Sequence, residues 1–397
     1  MRILIQNALI YNGDTRSFFE GALLLGLTEN SLMPDGRIIE VLPQSRHSFA
    51  HLPTSDMRID AGGCHIIPGF VDVHTHGRVC EDFNFSDEAG MRHAAHSYAL
   101  AGTTSLFPTL ASAPLPELCR AAALIRSLKG EGGGACFLGV HLEGRYLNPK
   151  RRGAHNPEYL APLRPDELDG FVDSSGLPVH ITAALELDNA GFADRAVALG
   201  ATLGLGHTDA TYAEAIGAWD KYRVSFTHLY NAMPQIHHRE GGAAAAALMS
   251  GGYCELICDG MHVAPHMVDL TLRNVGIDRL VLVSDSMAAA GAPDGEYTIA
   301  GTPAVVRDGI ARTPEGALAG STLDLRSAVE NLARFGNIPI ASAVLAATEN
   351  PAAEVGLEGE VGRIAPGARA DLLLCCVDET EKKIDISRVF VGGTEVM

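Results

Sequence analysis

The chain of 397 residues is 47% apolar, enough to bury a large core in one big domain with a smaller companion, or in two to three ordinary domains. Its net charge of −18, with 30 Lys and Arg against 48 Asp and Glu and no basic stripe, excludes a surface built for nucleic acid or for an anionic membrane. An anionic ligand would need a local cluster of donors.

Residues 1 to about 60 read as short β runs, RILIQNALIY, ALLLGL and GRIIEVLP, separated by Gly, Asn and Asp turns. The opening MRILIQNALIYNG lacks a charged leader with an apolar core and cleavage site, and no apolar run reaches about 18 residues, so a soluble cytoplasmic protein is expected. From residue 65 onward, eight compact apolar runs alternate with Ala-rich amphipathic segments: HIIPGFVDVHTH, TTSLFPTL, CFLGVHLEG, HITAALELD, TLGLGHTD, RVSFTHLYNAM, CELICDGMHV and RLVLVSDSM. Fully apolar strands alternating with helices predict a parallel sheet covered on both faces, and eight of them predict a TIM (β/α)8 barrel. The C-terminal GRIAPGARADLLLCCVD and SRVFVGGTEVM return to the strand-like style of the N-terminus. Both ends are expected to pair into a small discontinuous β-sandwich domain, residues 1–62 plus 364–397, around a barrel of residues 63–363. Eight cysteines lie in apolar contexts such as ACFLGV, without a C-x-x-C pair, and are expected to be reduced core residues.

A TIM barrel carries its chemistry at the C-terminal ends of the strands. The first run ends with His74 and His76, which lie two apart on a strand, project to one face and could touch one metal ion. The third ends with His141 and Glu143, the fifth with His207 and Asp209, the sixth with His228 and Asn231, the seventh with Asp259 and His262, and the eighth with Asp285. One histidine after an apolar strand is usually a hydrogen-bonded structural residue. Polar metal-binding types at six of eight rims point instead to a metal centre, because buried ionisable groups are costly unless paired or metal-bound. Neutral imidazoles with one or two carboxylates and an open position suit zinc or another borderline divalent ion, which activates water for hydrolysis.

The D-x-H-x-H of the first run (72–76), the histidines of the fifth and sixth and Asp285 of the eighth resemble the amidohydrolase superfamily. Within it, HLEGRYLNPKRRGAHNPEYL (141–160), GHTDA (206–210), THLYNAMPQIHHRE (227–240), DGMHV (259–263), LVSDSM (282–287) and LAGST (318–322) resemble the N-acetylglucosamine-6-phosphate deacetylase family. NPA (350–352) and GRIAPGARADL (362–372) extend the resemblance over nearly the whole chain. It implies removal of the acetyl group from an amino-sugar phosphate in amino-sugar catabolism. By motif position, Glu143, His207 and His228 would bind the principal metal and His74 and His76 a second. The resemblance allows one or two zinc ions per subunit, with iron or another divalent ion as alternatives. Asp285 would carry a proton from water to the amine, and His262 would hydrogen-bond the acetyl carbonyl. Ala154, His155, Asn231, the Ala232 backbone and Arg239 would hold the sugar phosphate, and Leu318, Ala319 and Gly320 would close over the sugar. A homodimer is also implied, because the family's arginine-bearing loop reaches a neighbouring subunit's site.

Several superfamily members bridge two metals with a carbamylated lysine, but none of Lys129, Lys150, Lys221, Lys382 and Lys383 ends a barrel run, and Glu143 can supply the anionic oxygen instead. Two positions depart from the family. Arg145 follows Gly144, and Gly241 follows Glu240, where Pro is usual. Arg145 could recognise an extra anion, pair with a rim carboxylate or point outward. The departures leave N-acetylgalactosamine 6-phosphate open as substrate. An N-acyl amino acid deacylase and a non-catalytic assembly protein are the other readings; phosphate-type motifs with Arg239 and His155 oppose the first, and the intact ligand set opposes the second.

Overall fold

Each of the eight apolar runs becomes a parallel strand in the computed structural model, which describes residues 1–27, 35–44, 53–299 and 301–397. In order they are Phe70–Thr75, Thr103–Ala111, Val140–Glu143, Val179–Ala183, Thr202–Leu205, Ser225–Phe226, Cys254–Leu256 and Leu280–Leu282. All but Thr202 of these residues are buried, as strands covered on both faces must be. Each strand pairs in parallel with the next, as in Val140↔Val179 and Leu256↔Leu282. The eighth strand meets the first through two backbone bonds, Asp285 N to His74 O at 2.9 Å and His76 N to Ser286 O at 2.8 Å. The covering helices show why they form. In Leu325–Phe335 the spacing of Leu325, Ala328, Val329, Leu332 and Ala333 buries one face, and the Asp324 side chain accepts from Ser327 N at the N-terminus.

The two ends of the chain form one sheet. Its strands are Arg2–Asn12, Ser17–Gly26, Arg37–Pro43, Met57–Asp60 and His65–Pro68 from the N-terminal side, with Leu372–Asp378, Lys383–Val391 and Thr394–Glu395 from the C-terminal side. They meet where Leu373 lies opposite Ile67 in an antiparallel ladder. Apolar clusters cover both faces, Ile5, Ile10, Leu23 and Leu372 on one and Leu4, Ala22, Leu24 and Leu42 on the other. The expected boundary at residue 62 needs correcting, since His65–Pro68 pairs within this terminal sheet and the chain enters the barrel only after Gly69. The cysteine expectation also holds only in part. Cys136, Cys254, Cys258 and Cys375 are buried, whereas Cys80 and Cys376 are exposed, and no disulfide forms. Among the described residues, no helix is long and apolar enough to cross a membrane.

A third small sheet lies between the eighth barrel strand and helix Leu325–Phe335: Gly295–Ile299, Thr302–Arg307 and Ile310–Arg312, all antiparallel. Ile299, Ala304, Val306 and Ala311 alternate inward and pack on Met287, Ala289 and Ala319.

A buried ion pair within the C-terminal segment reaches the barrel through a hydrogen bond from Ser105. Arg369 Nε lies 3.0 Å from Asp371 Oδ2, and the same carboxylate accepts from Gly392 N at 2.6 Å and from Ser105 Oγ of the second barrel strand at 3.4 Å. Asp371→Ala would strand a buried guanidinium, so the urea midpoint is expected to fall by the equivalent of about 3 kcal/mol; an unchanged midpoint refutes the tie.

Candidate metal centre and active site

At the C-terminal rim the strand ends converge on one carboxylate. Glu143 Oε1 lies 3.0 Å from His228 Nε2, 3.1 Å from His207 Nε2 and 3.4 Å from His74 Nε2. Its Oε2 lies 3.1 Å from His76 Nε2 and 3.5 Å from His155 Nε2. Asp285 Oδ1 closes the group, 3.2 Å from His76 Nε2 and 3.6 Å from His74 Nε2. All of these residues are buried. Three of them, His207 (φ 46°), His228 (φ 29°) and Asp285 (φ 45°), hold left-handed backbone conformations uncommon for residues with a Cβ. Backbone strain of this kind gathers at functional sites.

Second partners fix the ring tautomers. His207 Nδ1 lies 2.8 Å from the Arg151 carbonyl, which can only accept, so the proton is on Nδ1 and Nε2 carries a bare lone pair. That lone pair faces a carboxylate oxygen and, at 3.0 Å, the Nε2 of His228. His74 repeats the arrangement, with Nδ1 2.9 Å from Glu255 Oε2 and an Nε2 that has no hydrogen-bond partner. Lone pairs aimed at one another in a dry site are unfavourable unless a cation lies among them, and imidazoles oriented by a carbonyl or a carboxylate are how proteins prepare metal ligands. The donor set therefore fits a divalent ion. Its charges are strongly coupled. Burial opposes charge on Glu143, Asp285 and His76, yet neighbouring imidazoles hold Glu143 well below the usual carboxylate range and Asp285 at about 2, while Asp285 and Glu143 raise His76 to about 9. His207 is the exception, pushed down to about 4 by burial.

Above the cluster opens a cavity of about 270 Å³, the size for a small molecule rather than a polymer. Its walls include His76, Glu143, Ala154, His155, His207, His228, Asn231, Ala232, His262, Asp285, Leu318 and Gly320, so most of the residues singled out in the sequence meet here. Ser112 N donates to His155 Nδ1 at 3.3 Å, which leaves the His155 proton on Nε2 toward Glu143 and the cavity. Asp259 grips His262, with Oδ2 2.6 Å from Nδ1 and Oδ1 2.8 Å from the His262 backbone N. Gly320 closes one wall at φ 63°, where an added Cβ would come within 3.1 Å of the Asp285 carbonyl.

Other expected residues stand elsewhere. His74 lies beneath the cavity floor, and Ala319 is fully buried in the cluster behind the wall. Asn231 donates to the carbonyls of His228 and Leu229, holding its own turn. Arg239 sits on an exposed turn beside His238, outside the cavity. Asp209 pairs with Lys150 and Arg151 away from the cluster, and His141 bonds Thr182 inside the barrel. Arg145 points away from the metal ligands, its Nε 3.1 Å from Glu167 on the outer helix Pro165–Ser175. Sequence reasoning missed Glu255, which orients His74 and accepts from His228 N at 3.1 Å. Its signal was a single acid inside the apolar run CELIC.

Residues 65–396 match the model of the Amidohydrolase family. The N-acetylglucosamine-6-phosphate deacetylase of Vibrio furnissii is 32% identical over 330 residues, 82% of each chain. The N-acetylgalactosamine-6-phosphate deacetylase of Escherichia coli O157:H7 is 35% identical over 312 residues, 78% of this chain and 82% of the relative. Among solved structures, a mutant N-acetyl-D-glucosamine-6-phosphate deacetylase from Mycobacterium smegmatis in complex with N-acetyl-D-glucosamine-6-phosphate superposes with a TM-score of 0.84 at 28% identity, covering 100% of this chain and 99% of that one. A divalent metal is the group such a rim of imidazoles and carboxylate serves, and with the match running from the first barrel strand to the last strand of the terminal sheet, the chain belongs to the amidohydrolase family.

Proposed function

We propose that the protein hydrolyses the acetamide of N-acetyl-D-glucosamine 6-phosphate, releasing acetate and D-glucosamine 6-phosphate. The observation that carries this reading is the convergence of Glu143, His207 and His228, with a bare lone pair on His207, on the floor of a small-molecule cavity in a chain whose relatives are named as deacetylases of amino-sugar phosphates. N-acetyl-D-galactosamine 6-phosphate is the second reading, favoured by the relative from Escherichia coli O157:H7. An N-acyl amino acid deacylase and a non-catalytic protein have no such support.

In this reading Glu143, His207 and His228 hold the principal ion, and His74 and His76 hold a second. Zinc suits the donors best, with iron or another divalent ion as alternatives. A divalent ion bound there supplies Lewis acidity, which eases deprotonation of water and polarises a carbonyl. Asp285 takes one proton of the attacking water on its carboxylate and passes it to the amide nitrogen as the C–N bond breaks, so the amine leaves neutral, the new oxygen goes to acetic acid, and its remaining proton is lost to solvent to give acetate. His262, its Nδ1–H held by the Asp259 carboxylate, acts as the imidazolium and donates its Nε2–H to the acetyl oxygen, where charge develops in the transition state. The His155 Nε2 proton and the Ala232 backbone face the sugar phosphate, Asn231 shapes that turn, Ala154 lines its wall, and Leu318 and Gly320 cover the sugar with Ala319 packed behind them. Arg239, exposed at the tip of its turn, serves the phosphate of the neighbouring subunit in a cytoplasmic homodimer.

A substrate panel tests the reaction. Acetate release is expected from N-acetylhexosamine 6-phosphates and not from N-acetylglucosamine without phosphate, and equal turnover without phosphate would overturn the reading. Glu143→Gln removes the anionic ligand and is expected to lose hydrolysis together with the zinc that EDTA strips from the wild type; full retention of that zinc refutes the assignment. Asp285→Asn cannot carry the proton, so kcat should fall about 10³-fold while KM and metal content stay near wild type. Rescue by excess zinc would make Asp285 a ligand instead.

A further inference from the structure

Deeper in the barrel, behind the rim, lie three ionisable side chains for which the proposed reaction has no use as ligands. They are His180 on the fourth strand, Glu255 on the seventh and Glu354 at the end of helix Glu349–Glu354. His180 and Glu255 are fully buried and Glu354 is 7% exposed. One ligand-type atom from each lies within 4.8 Å of the other two, and His180 Nε2 is 3.8 Å from Glu255 Oε1.

Each residue of the pair His180 and Glu255 is anchored at one end and unpaired at the other. Thr202 Oγ1 lies 2.8 Å from His180 Nδ1, and His74 Nδ1 and His228 N engage Glu255 Oε2. The atoms aimed into the group, His180 Nε2 and Glu255 Oε1, have no hydrogen-bond partner, and the Glu354 carboxyl is faced only by the Ser225 hydroxyl of the neighbouring sixth strand. Among the described residues, no Lys or Arg forms an ion pair with Glu255 or Glu354. Two carboxylates in a dry interior without a cation are strongly unfavourable. A divalent ion cancels both charges and takes up the orphaned atoms together. Ligands about 2.1 Å from a tetrahedral ion stand roughly 3.4 Å apart, so the His180–Glu255 pair at 3.8 Å closes by a few tenths of an ångström on binding and the pairs with Glu354, within 4.8 Å, by at most about 1.4 Å. One imidazole nitrogen, two carboxylates and a hydroxyl suit a borderline ion better than calcium or magnesium, which favour all-oxygen shells.

We infer that His180, Glu255 and Glu354, with Ser225, form a closed structural site for a zinc-class divalent ion, distinct from the rim centre. Glu255 belongs to both places, holding His74 with one oxygen and the inner ion with the other. None of these residues lines the cavity and all are buried, so the inner ion would enter as the barrel folds and be sheltered from chelators.

The test is a zinc count on full-length native protein expressed with zinc, treated with EDTA and desalted. The wild type and Glu143→Gln are both expected to keep about one equivalent after stripping, the latter because its rim site is already disabled, while Glu354→Gln keeps none. After zinc is added back, Glu354→Gln is expected to recover its rim zinc and acetate release, which separates this site from the reaction itself. His180→Asn, with folding followed by circular dichroism, replaces Glu354→Gln if that variant does not fold. The inference is overturned if stripped wild type or stripped Glu143→Gln holds no zinc, or if the Glu354 or His180 variant keeps as much as the wild type.

Discussion

A buried carboxylate surrounded by imidazoles is unstable unless something positive holds it together, and Glu143 is in that position. Within 3.5 Å it meets ring nitrogens of His74, His76, His155, His207 and His228, contributed by four separate segments of the chain. Only a closed barrel brings such distant segments to one point, because every strand end arrives at the same rim. The left-handed conformations at His207, His228 and Asp285 show the residual strain, on the order of 1–3 kcal/mol each, carried by flanking strands whose side chains are buried.

The surroundings restrain those rings rather than merely enclosing them. The Arg151 carbonyl sets the proton of His207, Glu255 that of His74, Ser112 that of His155, and Asp259 that of His262. All but Glu255, which lies inside its strand, come from the segments just beyond the strand ends. Metal affinity and ring orientation thus depend on backbone groups and carboxylates that orient the rings from behind.

The barrel was legible because strands covered on both faces are apolar without interruption, so a histidine or carboxylate at the end of such a run stands out. That contrast located His74, His76, Glu143, His207, His228 and Asp285 before any geometry was known. It failed where the contrast was absent. HIIPGFVDVHTH reads as one apolar run, yet His65–Pro68 belongs to the terminal sheet and Phe70–Thr75 to the barrel, and only the ladder partners separate them. Glu255 was overlooked because a lone acid within a strand gives no sign of what it faces. The direction of Arg145 depends on Glu167, 22 residues further along the chain, and Arg239 sits on a turn whose sequence does not tell which side it exposes.

The small sheet of residues 295–312 has its own apolar cluster, Met287, Ile299, Ala304, Val306 and Ala311, apart from the barrel core. Ile299 and the following loop at Leu318 and Gly320 form one wall of the cavity, whereas the imidazoles and Glu143 stand on barrel strand ends and the segments beyond them. One wall of the chamber therefore rests on this insert, while the reactive floor rests on the barrel. Substitutions in the insert can remould what fits without disturbing the chemistry below, so relatives sharing this floor can diverge in the molecules they accept by redrawing one short stretch of chain.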